Sequence, residues 1–102
     1  MTMRGKDRAE LRAEAHHLRP TVHVGHHGIT DTLLQSLDDA LEARELVKIQ
    51  VERNAPVSVK EAAATLADQV HAEVIQVIGR KTTLYRHNPE LHKKPDAAPP
   101  WR

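Results

Sequence analysis

The chain reads as an α/β (α+β) protein, a single compact α-β-α-β-α-β-β domain with a mixed four-stranded sheet. Three observations predict this. Apolar residues recur at helical spacing in three segments, and they alternate or run β-branched in four short ones. The two kinds take turns along 102 residues, which is room for one domain.

From Lys6 to His17, the stripe Leu11, Ala15 and Leu18 predicts the first helix, and Pro20 ends it. Thr21–Val24 alternates, with Val22 and Val24 on one side and His23 on the other, as in a short strand. Gly25-His26-His27-Gly28 breaks it. Thr30 is placed to cap a second helix with stripe Leu33, Leu34, Leu37, Ala40 and Leu41, and Asp31 suits its positive end. Leu46–Val51 is a second strand, with Val47, Ile49 and Val51 inward and Lys48, Gln50 and Glu52 outward. After the turn Asn54-Ala55-Pro56, Ser58 and Glu61 form a capping box for a third helix whose stripe is Val59, Ala62, Ala63, Leu66 and Val70. Val74–Ile78 and Thr82–Arg86, joined through Gly79-Arg80-Lys81, form an antiparallel hairpin. Each strand–helix–strand passage is expected to give parallel neighbours, with the hairpin as an antiparallel edge and helices over at least one face. Residues 1–88 constitute the domain. Residues 89–102, proline-rich and without a periodic face, are expected to be a flexible tail.

Composition removes several functions. Zero cysteines exclude a disulfide scaffold, thiolate catalysis and sulfur-based zinc sites. With no Phe, one Tyr and one Trp, the chain lacks the rings on which single-stranded bases stack. No apolar run approaches the roughly 20 residues of a membrane helix. The charged N-terminus MTMRGKDRAELRAEA has no signal-peptide core, so a cytoplasmic location is expected. The net charge of +1 conceals segregation. Residues 1–30 carry five Arg/Lys against three acids, residues 31–76 four against nine, and residues 77–102 six against two. Either the two ends converge on one basic face, or the charges merely solvate helix surfaces.

The loop Gly25–Gly28 lies between a strand and a helix start. Two glycines let the backbone approach a ligand, and the free amides of the following helix favour an anion. The same glycines could serve only a tight turn. The loop is neither a Walker A motif, since Ile29 follows Gly28, nor GxGxxG. Arg80 and Lys81 at a hairpin tip suit phosphate contact, and Arg19, Lys48 and Arg86 could extend the patch. His16, His17, His23, His26 and His27 fall close together, but His26 and His27 on a turn are expected to diverge, and His16 and His17 sit about 100° apart on a helix. No metal site and no cofactor are expected from them. Loop imidazoles instead act as donors to phosphate whose charge switches in the physiological range. Asp31, Asp38, Asp39, Glu42 and Glu45 read as a solvated face, and Ser36 and Ser58 lack a neighbouring base, so no enzyme is expected.

Four blocks in order carry a family resemblance over roughly Lys6 to Arg86. They are Leu18-Arg19-Pro20 ending a helix, the GxxG at Gly25–Gly28 followed by Ile29-Thr30, Ala40-Leu41-Glu42 with Glu45-Leu46-Val47-Lys48-Ile49, and Val74–Arg80 with Leu84-Tyr85-Arg86. The chain resembles a stand-alone CRM domain (chloroplast RNA splicing and ribosome maturation) of the YhbY type. The resemblance implies a fold similar to the C-terminal domain of bacterial translation initiation factor three. It also implies RNA binding, in bacterial members to precursors of the large ribosomal subunit.

The site expected on these grounds comprises Gly25, His26, His27, Gly28, Thr30, Arg19, Lys48, Arg80, Lys81 and Arg86, with the glycine loop and cations on the RNA backbone. A monomer with no membrane or small-molecule partner is expected. The alternative is a protein–protein adaptor whose acidic second helix and tail dock a basic ribosomal protein or assembly factor.

Overall fold

The computed structural model describes residues 5–93 and 99–101. Helix α1 spans Gly5–Ala15, strand β1 Val22–Val24, α2 Asp31–Arg44, β2 Leu46–Val51, α3 Val59–Val70, β3 Glu73–Ile78 and β4 Lys81–Tyr85. The caps form as the sequence predicts. Thr30 Oγ1 accepts from the Leu33 amide, and Ser58 and Glu61 satisfy each other's backbone N–H groups in a complete capping box. No helix among the described residues is long and apolar enough to cross a membrane.

The sheet order is β1-β2-β4-β3, with β1 parallel to β2 and the other pairs antiparallel. This differs from the expectation that β3 would lie beside β2 as a parallel neighbour: β4 inserts between them. Burial gives the physical reason. In β4, Thr82, Thr83 and Leu84 are all buried, as an interior strand requires, whereas β3 is mostly half-exposed and ends in the exposed Ile78. A register shift between Val74 and Gln76 in β3 breaks the alternation, so that Val74 joins the main core while Gln76 pairs with Thr83 on the opposite face, the side of Ile75.

Helices α2 and α3 cover one face of the sheet, burying Leu37, Leu41, Ala62 and Leu66 against Val22, Val24, Val47, Ile49, Val51 and Leu84. Each such leucine contributes about 1.5–3 kcal/mol when fully buried. Helix α1 crosses the opposite face at one end only, where Leu11 meets Leu46 and Ile75. The start of β2 is therefore covered on both faces. Among the described residues, no helix covers the rest of the α1 face.

Of the expected flexible tail, residues 94–98 and 102 lie outside the described residues, while the described residues after Arg86 make contacts with the domain. Pro89–His92 forms a 3-10 turn capped by Asn88, whose side chain also donates to the Glu42 carbonyl at 2.8 Å. Trp101 lies edge-on to Tyr85, with ring centroids 6.3 Å apart, and joins the cluster under α1. An indole and a buried carboxylate hold this segment, and neither leaves a periodic signature.

Candidate nucleic-acid interface

Parallel pairing decides which loops meet. Because β1 and β2 run together, the Gly25–Gly28 loop leaves the sheet at the same end as the β2–α3 turn, and the Glu52 amide donates to the Val24 carbonyl. The β3–β4 hairpin arrives at that end too, since the Val51 amide donates to the Arg80 carbonyl. Val24 and Arg80 are thus two strand spacings apart, about 10 Å. Gly25, His26, His27, Gly28, Arg53, Arg80 and Lys81 share one pole of the domain.

Within the loop, the Gly28 amide donates to the Gly25 carbonyl at 2.9 Å, closing a tight turn. Gly28 is buried at φ +69°, and a Cβ there would meet Pro56 Cγ at 3.0 Å, so the turn favours glycine and strains any other residue. Gly25 faces open space. The pair splits the two readings of the motif: Gly28 serves the turn, and Gly25 leaves a gap a ligand could enter. The His26 and His27 rings do not diverge as expected. Their centroids lie 3.9 Å apart in a tilted arrangement, both exposed, because the turn brings neighbouring side chains to one side. Thr30 is spent on its cap, and Asp31 places a carboxylate in the first turn of α2.

On the open face, Lys48 and Lys81 line a shallow depression with His16, Gln76, Ile78 and Thr83. Lys48 Nζ donates to the Ala15 carbonyl at 3.0 Å. Burial, and then the like charge of Lys81, pushes the Lys48 pKa down. Thr83 Oγ1 is buried without a hydrogen-bond partner among the described residues. His23 lies 3.0 Å from Glu52, so this acid joins Asp31 at the pole.

Two expected cations are elsewhere. Arg86 sits at the opposite pole, where its guanidinium reaches Asp38 Oδ1 at 2.7 Å, the Val70 carbonyl at 2.9 Å, the Asp38 carbonyl at 3.1 Å and Glu42 at 3.3 Å. It clasps α2 to the end of α3 and is not part of the basic patch. Arg19 precedes β1, at the other end of that strand from the glycine loop, beside Arg44. The acids of α2 are not a uniformly solvated face either: Asp38 and Glu42 hold Arg86, and Glu45 is wholly buried. Conversely, Arg53 was not among the expected residues. It shares an open hollow with Gln50, Glu52, Asn54 and Arg80. Its signal was topological, a cation in the turn after the strand that pairs in parallel with the loop strand.

Fold and site together define a small α+β domain with a glycine loop set among cations. The chain belongs to the CRS1 / YhbY (CRM) domain family, whose profile matches residues 3–86. It is 36% identical to "Probable RNA-binding protein YqeI" of Bacillus subtilis over 86 residues, covering 84% of this chain and 90% of that one. It is 39% identical to "Probable RNA-binding protein MJ0652" of Methanocaldococcus jannaschii over 84 residues, 80% of this chain and 62% of that one. The solution structure of the hypothetical protein SAV1595 from Staphylococcus aureus superposes with a TM-score of 0.73 at 37% identity, covering 85% of this chain and 91% of that one.

Proposed function

We propose that this chain is a non-catalytic binder of structured RNA, acting on ribosomal RNA in precursors of the large ribosomal subunit. The convergence of the Gly25–Gly28 loop with Arg53, Arg80 and Lys81 at one pole supports this reading, as do the names of its relatives. The ribosomal assignment rests on the YhbY resemblance. Backbone amides at Gly25–His27 would take one phosphate. Arg53, Arg80, Lys81 and Lys48 would take its neighbours, with the exposed His26 and His27 rings beside them. With so few rings, recognition is by backbone shape.

The test is equilibrium binding to a ribosomal RNA fragment against salt. Four phosphate contacts give a log–log slope of about −3, so affinity falls roughly 60-fold between about 50 and 200 mM salt. Arg80→Gln with Lys81→Gln should reduce the slope to about −1.5. Charge reversal at both positions should collapse binding. A flat salt profile, or RNA association that survives the reversal, would refute the RNA reading in favour of a protein-docking role. His26→Ala with His27→Ala should weaken binding at fixed salt.

A further inference from the structure

We propose that Glu45, His87 and His92 form a binding site for a divalent transition-metal ion of the zinc class, which fastens the C-terminal segment to the domain. The site lies at the pole away from the glycine loop and is independent of RNA binding. One carboxylate oxygen and one nitrogen from each imidazole fall within 4.8 Å of one another. His92 Nε2 lies 2.8 and 2.9 Å from the two Glu45 oxygens, and His87 Nδ1 lies 3.3 Å from Oε2. The two rings stack at 4.9 Å with 23° between their planes, so their nitrogen edges meet the same carboxylate.

Three features mark this group as more than a surface ion pair. Glu45 is 0% exposed, and burying a carboxylate is costly unless a cation compensates it. Its backbone is held at φ 65°, ψ −44°, a conformation unfavourable for a residue with a Cβ, so the fold strains to place this side chain. The Asn88 amide donates to Oε2 at 2.6 Å, orienting the carboxylate as an outer-shell donor does around a metal. Two imidazoles and one carboxylate are a zinc donor set that leaves a fourth position for water. A tetrahedral ion sets its ligand atoms about 3.3 Å apart, so the widest pair need close by at most about 1.5 Å. Both histidines are about two-fifths exposed and can tilt. The ion would take the place of the direct contact between His92 Nε2 and the Glu45 carboxylate.

The experiment is competition of untagged full-length protein with a chromophoric zinc chelator, read beside thermal unfolding. The expected result is saturable binding of one Zn2+ per chain, a rise in Tm with zinc, and binding weakened at least about tenfold by His87→Ala and by His92→Ala. His26→Ala with His27→Ala should bind as the unaltered protein does. Absence of saturable binding in the micromolar range overturns the proposal. So does binding that survives His87→Ala with His92→Ala, which would place the ion elsewhere. If either alanine variant fails to fold, His92→Gln and His87→Gln decide by the same criterion.

Discussion

Arg86 was expected to meet RNA, and the structure makes it a clasp, which replacement by alanine distinguishes. The guanidinium is 20% exposed and bonds two main-chain carbonyls, those of Val70 and Asp38, as well as two carboxylates. The carboxylates are 49% and 68% exposed and rehydrate when the arginine is lost, so their pairs contribute little, about 0–1 kcal/mol. The carbonyls lose a charged donor, at about 1–1.5 kcal/mol each after allowing for partial solvation. Arg86→Ala should therefore destabilise by about 2–3 kcal/mol, lowering Tm by roughly 10–20 °C for a domain this size. Urea unfolding followed by circular dichroism measures the first and a thermal melt the second. RNA affinity of the folded variant, measured well below its Tm, should match the unaltered protein. A loss under about 0.5 kcal/mol accompanied by a tenfold drop in RNA affinity would reverse the assignment and return Arg86 to the interface.

Gly28→Ala should cost about 1–2 kcal/mol in chemical denaturation, from its positive φ and the Pro56 contact. Gly25→Ala should leave stability unchanged yet weaken RNA binding, because open space surrounds it. Tyr85, the single tyrosine, has its pKa pushed up to about 12 by burial first and then by Glu45, Asp7 and Glu73. The folded state thus holds this proton more tightly than the unfolded chain. The stability it contributes is complete below pH 10, the ordinary tyrosine value, and is lost as pH rises through about 12. Near-ultraviolet titration of tyrosinate should show the raised midpoint, and Tyr85→Phe should flatten the alkaline loss of stability.

Local rules carried much of this protein. Thr30, Ser58 and Glu61 announced their helix starts because a cap is written within three or four residues. The alternation in Thr21–Val24 and Leu46–Val51 announced strands because pleating has a period of two. Which strand neighbours which is not local. Placing β4 between β2 and β3 depended on which strand could bury both of its edges, a competition among segments far apart in the chain.

The site divides in the same way. That a GxxG loop opens a helix and that Arg80 and Lys81 tip a hairpin are facts of adjacency, and the sequence alone determined them. That Arg53 joins them, that Arg86 is drawn to α2 and α3, and that Glu45 meets His87 and His92 were decided only by the tertiary structure. A charged side chain's role depends on which desolvated partners surround it. Those partners are brought there by chain crossings that leave no periodic trace.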